Sequence, residues 1–368
     1  VMQPIIKWPG GKASEIQYIE NIIPEYDRYI EPFCGGGAVY FYLEPKKAII
    51  NDISENLTNF YKLIKNKNIQ FKSDMYDLNI MWDSLKIKAN NYINFLTRLF
   101  IEFKNNRVNK QQVCVELINI VNLLLQDESI NIIDLEILKK EINRMLKDKF
   151  FRTYKNEIKN NQELSMQDLE CNLLTGIASG IYMAVRCSFN QLEKENNLSE
   201  NLIARKTALF YFVREFCYGS MFRYNKNGDF NIPYGGIGYN HKDYKKKLDT
   251  IFDNKTITLL QNTTVICGDF ENIILSAEKN DFLFLDPPYD TDFSDYENKS
   301  FNKNDQVRLR DSLEKTKAKF ILIIKNTPFI FSLYNKECFK INSFDNTYSY
   351  CVKNRNNRKV KHLIITNY

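Results

Sequence analysis

The sequence predicts an α/β fold, a mostly parallel sheet with helices on both faces, interrupted by a second, mainly helical domain. Three observations predict it. Short apolar runs alternate with amphipathic helical segments at both ends of the chain, the pattern of a parallel sheet crossed by helices. Between about Asn66 and Ala208 the character changes to long helical periodicity, as in "VCVELINIVNLLL" and "DLEILKKEINRML", with almost no Gly or Pro. The 368 residues leave room for two domains, or one domain with a large insertion.

Tyr29 to Phe33, "YIEPF", is the first strand candidate and runs into "CGGG". Lys47 to Ile50, "KAII", is the second and ends at Asn51-Asp52. Ser54 can cap the helix "SENLTNFYKLIK", whose Leu57, Phe60, Tyr61 and Ile64 fall on one face. In "YNKNGDFNIPYGG" the pair Asn227-Gly228 gives a two-residue turn signal between short β-prone runs, which predicts a hairpin. Strand signals resume at Thr264–Cys267, Phe282–Leu285 and Phe320–Ile324, and the terminal "KVKHLIITNY" reads as the last strand. The α/β domain is therefore expected over 1–66 and 256–368. The interrupting domain is expected over 67–255, helical at 67–208 and with the hairpin at about 217–240.

Composition narrows the chemistry. The chain is 44% hydrophobic and 26% charged, as soluble proteins are, and no run approaches the ~20 apolar residues of a membrane span. No apolar signal segment opens it, and Val1 reads as a remnant ahead of a natural start at Met2. Eight cysteines without CxxC spacing point to a reducing cytoplasm rather than to zinc or disulfides. With His241 and His362 as its only histidines, the chain is not expected to run histidine-based metal or triad chemistry. A net charge of +6 suits a polyanionic partner without requiring one.

Four motifs sit at strand ends or turns. "EPFCGGGAVYF" (Glu31 to Phe41) puts glycines at a strand-to-helix turn, where a ligand can approach the backbone. Asp52, 21 residues beyond Glu31, is where nucleotide-binding α/β sheets hold ribose hydroxyls. "KWPGGK" (Lys7 to Lys12) is a turn flanked by lysines, suited to a carboxylate or phosphate, with Trp8 available for stacking. "CGDF" places Asp269 after the third strand. Taken alone, the first two read equally well as a turn with a helix cap and a charged loop, and "CGDF" reads better as an ordinary strand-end turn. "FLFLDPPYD" (Phe282 to Asp290) is more specific. Pro287 holds a carbonyl outward beside the Asp286 carboxylate, and Tyr289 offers a flat apolar face. Two acceptors and a ring suit a planar substrate bearing an –NH2 group, such as a nucleobase, which must leave its duplex to reach them. Glu31, Asp52, Asp269 and Asp286 all end strands, and such ends form one crevice in an open α/β sheet.

With these motifs the chain resembles the DNA adenine N6-methyltransferases of the Dam type. "KWPGGK", "EPFCGGGAVYF", "NDISENLTNFY", "FRYNKNGDFNIPYGG", "CGDF", "DPPY" and the basic ending "RNNRKVKHLIITNY" carry the resemblance, in that order, over roughly 1–66 and 205–368. It implies a Rossmann-like methyltransferase domain, a target-recognition domain, S-adenosyl-L-methionine as cofactor and double-stranded DNA as substrate. Lys7 and Trp8, with Gly10, Gly11 and Lys12, would hold the methionine part of the cofactor. Glu31, Phe33, Gly35 and Gly37 would line it, Asp52 would take the ribose hydroxyls, and Asp269 with Phe270 the adenine edge. Asp286, Pro287, Pro288 and Tyr289 would be catalytic and hold the target adenine, Asp286 also facing the cofactor. Arg223, Tyr224, Asn225, Lys226 and Asn227 would read DNA from the hairpin tip, and Arg355 and Arg358 would contact phosphates. No metal is expected. The enzyme is expected in the cytoplasm, as a monomer or weak dimer, either beside a cognate restriction endonuclease or as a solitary or phage methylase. One departure is the long segment before the hairpin, which bears on the target sequence. The alternatives are N4 methylation of cytosine, RNA as substrate, and a catalytically inactive DNA-binding regulator.

Overall fold

The strands β1 (Arg28–Glu31) and β2 (Ala48–Asp52) alternate with α1 (Ala38–Leu43) and α2 (Glu55–Lys65). Ser54 caps α2, accepting from the Leu57 N–H at 3.2 Å, and Leu57, Phe60, Tyr61 and Ile64 are buried together. Seven helices follow: α3 (Ile69–Asn91), α4 (Ile93–Lys104), α5 (Lys110–Leu125), α6 (Leu135–Asn160), α7 (Met166–Glu193), α8 (Glu200–Phe216) and α9 (Tyr244–Ile251). The chain then continues through α10 (Asn254–Gln261), β3 (Thr263–Cys267), α11 (Phe270–Leu275), β4 (Asp281–Leu285), α12 (Lys303–Lys315), β5 (Lys319–Lys325), α13 (Pro328–Tyr334), β6 (Lys340–Thr347) and β7 (Lys359–Thr366). These elements come from a computed structural model, which describes residues 1–11, 15–126, 128–288, 301–347 and 359–368. They divide into two units, 1–66 with 253–368, and 67–252.

In the first unit the strands form one sheet in the order β3-β2-β1-β4-β5-β7-β6. β1 to β5 run parallel, while β7 is antiparallel to both β5 and β6. β4 is buried along its whole length and β5 nearly so, as expected of parallel strands covered on both faces, which read as continuous apolar runs. One layer of the core packs Leu283, Leu285, Phe320, Leu322 and Ile324 against Ile274 of α11 and Leu309 and Leu313 of α12. Arg28 donates from Nε and Nη2 to the Asp281 carboxylate at 3.0 and 2.6 Å, joining the starts of β1 and β4. The strand order reverses between β1 and β4, and a crevice opens at such a switch point. β6 is a strand the sequence reading lacks. "KINSFDNT" has no apolar alternation, and it pairs on one side only, as a sheet edge.

In the second unit α7 packs closely on α6. A Cβ on Gly180 would land on the Ile142 backbone, and one on Gly176 would come 3.1 Å from Leu146 Cα. Trp82 of α3 is buried against the rings of Phe212 and Phe216 of α8. After α8 the chain forms the hairpin, through isolated bridges Cys217↔Tyr234 and Tyr224↔Phe230 rather than regular strands. Its turn differs from the expected two-residue form. The Gly228 N–H donates to the Asn225 carbonyl at 3.0 Å and the Asn225 N–H to the Asp229 carbonyl at 2.9 Å. The loop is thus three residues, Lys226-Asn227-Gly228, closed by Gly228 at φ +77°. That is a turn followed by a left-handed glycine bulge, an arrangement for which Asn-Gly serves equally well.

Candidate active site

Parallel pairing brings the carboxyl ends of β1, β2, β3 and β4 to one edge of the sheet. There Glu31, Asp52, Asp269 and Asp286 line a single cleft, open to solvent. Asn51, fully buried, holds three of these ends together. Its side-chain amide donates to the carbonyls of Pro32 at 2.9 Å and Gly268 at 3.0 Å, and its own carbonyl accepts from the Cys34 N–H at 2.9 Å. An apolar residue here would leave the buried Pro32 carbonyl without that donor, a cost of about 1–3 kcal/mol, and the half-buried Gly268 carbonyl as well.

Asp52 shapes the glycine loop from the next position. Its two oxygens accept the N–H groups of Gly35 and Ser54, both at 2.9 Å. The Tyr61 hydroxyl donates to the Gly35 carbonyl at 2.9 Å. Gly35 lies at φ +49°, and a Cβ there would meet the Trp8 indole at 2.7 Å, so conformation and space both exclude other residues. Trp8, from the "KWPGGK" turn, thereby packs directly on the "CGGG" turn.

The cleft wall is aromatic. Phe33 and Phe270 lie 5.2 Å apart between ring centroids, and Phe301 packs on both at 5.7 and 5.6 Å. Asp269 caps α11, accepting from the Glu271 N–H at 2.9 Å. It also accepts from Arg308 of α12 at 2.8 Å, and the same guanidinium reaches Glu271 and Asp305 while lying over the Phe270 ring at 4.9 Å. Gln306, fully buried two residues earlier on α12, donates to the Pro288 carbonyl at 3.1 Å. The proline motif is thus tied to the helix that carries the Asp269 partner.

Burial pushes the Glu31 carboxyl well above its ordinary value. A hydrogen bond donated by the Tyr29 hydroxyl at 2.8 Å opposes the shift, and the neighbouring Asp286 and Asp52 charges reinforce it. The Cys34 thiol is likewise raised by burial, then by Glu31 and Asp52. Arg308 is held cationic by its hydrogen bonds, that to Glu271 first.

The cleft brings together Trp8, Gly10, Gly11, Glu31, Phe33, Gly35, Gly37, Asp52, Asp269, Phe270, Asp286, Pro287 and Pro288. Lys7 is half-buried beside Trp8 and is not among the lining residues. Lys12, Tyr289, Arg355 and Arg358 lie outside the described residues. At the hairpin, Arg223 donates across to Asn231, to its side-chain oxygen at 2.7 Å and its carbonyl at 3.0 Å. The Asn225 side chain accepts from the N–H groups of Asn227 and Asp229 at 2.8 and 3.0 Å, so it organises the turn. Tyr224 stands edge-on to Phe230 at 5.7 Å, while Lys226 and Asn227 are exposed. Sequence reasoning missed Asn51, Phe301, Gln306 and Arg308. One local signal existed for the last two, the Asn302–Asp305 capping box that starts α12.

The profile of the D12 class of N6 adenine-specific DNA methyltransferases matches residues 8–124 and 116–350. The chain belongs to that family. It is an adenine-specific DNA methyltransferase, and the family's specificity stands against the N4-cytosine alternative. This methyltransferase is 28% identical to the Type II methyltransferase M.MjaIII of Methanocaldococcus jannaschii over 356 residues, 90% of this chain and 88% of the relative. It is 24% identical to the DNA adenine methylase of Vibrio cholerae, over 84% of this chain and 76% of the relative. To the DNA N-6-adenine-methyltransferase of Escherichia phage P1 it is 24% identical over 92% of this chain, which spans 32% of that protein. Among the methyltransferase's described residues, no helix is long and apolar enough to cross a membrane, and no three His, Cys, Asp or Glu side chains are grouped to hold a metal ion.

Proposed function

We propose that the cleft holds S-adenosyl-L-methionine and that Asp286, Pro287 and Pro288, with Tyr289, trap the amino group of an adenine flipped out of duplex DNA. The observation that carries this reading is the convergence of Asp52, Asp269 and Asp286 on one aromatic-walled cleft at the switch point of the sheet. The donor set fits that cofactor. Asp52 offers a carboxylate to paired hydroxyls, Phe33 and Phe270 offer ring faces to a purine, and Asp269 accepts from its amino edge. Trp8, Gly10 and Gly11, with Lys7 and Lys12 beside them, suit the amino-acid end. Bound there, S-adenosyl-L-methionine supplies an electrophilic methyl group.

The chain's own task is to make a poor nucleophile react. The adenine amino nitrogen has its lone pair delocalised into the ring. Asp286 and the Pro287 carbonyl accept its two hydrogens and favour the tetrahedral nitrogen, in which the lone pair is released. Fixed acceptors that gain strength only as the nitrogen changes geometry lower the barrier itself. Gln306, holding the Pro288 carbonyl, keeps the turn from swinging.

Target recognition we assign to residues 67–252, with the hairpin reading base edges in a groove. Exposed Lys226 and Asn227 reach outward, Arg223 and Asn225 shape the tip, and Arg355 and Arg358 contact phosphates. We take the enzyme to act in the cytoplasm, as a monomer or weak dimer, and kinship with type II methyltransferases favours a cognate endonuclease as partner. The test is single-turnover methylation of unmodified genomic duplex, with product nucleosides identified by mass spectrometry. The parent should form N6-methyladenine, and Asp286→Ala should bind cofactor and DNA yet scarcely turn over. N4-methylcytosine as product would overturn the adenine trap, and so would parental turnover by Asp286→Ala.

A further inference from the structure

Four residues at successive helical turns of α7 and its cap meet one stretch of the hairpin, three of them at its backbone and the fourth at a side chain. The Tyr182 hydroxyl and Arg186 Nη1 both donate to the Ile232 carbonyl at 2.8 Å. The Asn190 side chain donates to the Phe230 carbonyl at 3.0 Å and accepts from the Phe230 N–H at 2.9 Å. Lys194 pairs with the Asp229 carboxylate at 2.5 Å. As the numbering rises along the helix it falls along the hairpin, from Ile232 to Asp229.

The spacing explains why a helix can do this. Four helical residues rise about 6 Å, and two extended residues span about 6.7 Å. Arg186 and Asn190, four apart, therefore meet Ile232 and Phe230, two apart, while Tyr182 converges with Arg186 on Ile232 and Lys194 reaches the Asp229 side chain. Tyr224 and Phe230 form the pair flanked by the backbone bonds Asn225 to Asp229 and Asn231 to Arg223. The backbone groups of Phe230 consequently point away from Tyr224, along the outer edge of the hairpin. Asn190 meets both of them, as a neighbouring strand would. The hairpin's second arm is thus edge-paired to a helix.

We propose that α7 is the specificity-positioning element of this methyltransferase. Its Tyr182–Arg186–Asn190–Lys194 ladder sets the register and height of the Lys226–Gly228 tip, so that target choice depends on side chains that never touch DNA. The proposal rests on the reading that the hairpin reads the target. The four are positioning residues, Tyr182, Arg186 and Asn190 acting through the backbone of Phe230 and Ile232 and Lys194 through the Asp229 side chain.

The experiment expresses the full chain in a host without DNA methylation of its own and sequences the host genome for modified adenine. Hydrogen exchange over 223–232 and cofactor affinity are measured on the same proteins. Four are compared: the parent, Asn190→Ala, Tyr182→Phe, and a tip variant carrying Lys226→Ala with Asn227→Ala. The ladder variants should exchange the 229–232 amides at least about ten-fold faster and keep cofactor affinity. They should also methylate sites one base away from the parental motif, with discrimination falling roughly five- to 150-fold, the range that one lost base contact spans. General destabilisation would lower methylation at all sites together and would not move that ratio. Unchanged exchange in both ladder variants overturns the anchoring. Faster exchange with parental discrimination, while the tip variant changes the motif, overturns the ladder's role and leaves the hairpin reading standing. A parental motif from the tip variant removes the reading and the inference together. If Asn190→Ala does not fold, Tyr182→Phe decides alone, since it deletes one hydroxyl and keeps the ring.

Discussion

Both oxygens of Asp52 accept backbone N–H groups, from Gly35 and Ser54, and the carboxylate lines the cleft. Asp52→Ala should weaken cofactor binding by about 1.5–3 kcal/mol, the worth of hydrogen bonds to a charged group, and leave DNA affinity alone. Calorimetry on the folded variant checks this, and undiminished cofactor affinity would refute the assignment. Glu31 makes a different prediction, because burial raises its carboxyl well above the ordinary 4.5. The unfolded chain releases that proton near 4.5, while the folded chain keeps it to higher pH. Stability is therefore full below 4.5 and is lost as pH rises toward the folded value, by at most about 1.4 kcal/mol per pH unit. Glu31→Gln removes the titration. The melting temperature of the parent minus that of the variant should fall as pH rises above 4.5. A flat difference would mean that Glu31 is ionised in the folded state.

At the level of elements, α6 and α7 pack tightly where Gly176 and Gly180 meet α6. Because the atoms a Cβ on Gly180 would strike are backbone, no side chain can turn aside. Gly180→Ala should cost about 1–3 kcal/mol or more by overpacking, read as a lower urea midpoint for the 67–252 unit with cofactor binding intact. An unchanged midpoint would show that the helices separate freely. The same two glycines illustrate what was legible beforehand. Between Asn66 and Ala208 they are the sole glycines, so their presence was visible, but the helix they press against was not. β4 and β5 were legible because strands buried on both faces are continuously apolar. The acids at the strand ends were legible because each follows such a run or a glycine turn. β6 escaped because an edge strand need not be apolar, and the turn at Gly228 because Asn-Gly serves two loop lengths. Asn51, Gln306 and Arg308 escaped for another reason: each acts on a strand end or loop remote in sequence, and local pattern carries no trace of that.

For the whole molecule, the +6 charge favours a polyanion, and the undescribed basic stretch that holds Arg355 and Arg358 adds to it locally. Neutralising both arginines should weaken binding to target and random duplexes alike and reduce the salt slope by about one unit per lost phosphate contact. Filter binding at several salt concentrations measures it, and a loss confined to the target duplex would contradict the phosphate assignment. The sheet itself has a consequence for biosynthesis. β1 pairs with β4, and the residues that join their first ends, Arg28 and Asp281, are 253 positions apart. At ~5–20 residues per second, a ribosome needs roughly ten to fifty seconds between them. Throughout that interval the side of β1 that will meet β4 is an open template of unpaired N–H and C=O groups. All of α3 to α9 emerges before it can close. Translation arrested just short of Asp281 should therefore leave the first 66 residues sensitive to protease on the nascent chain, the stretch of this enzyme most in need of a chaperone.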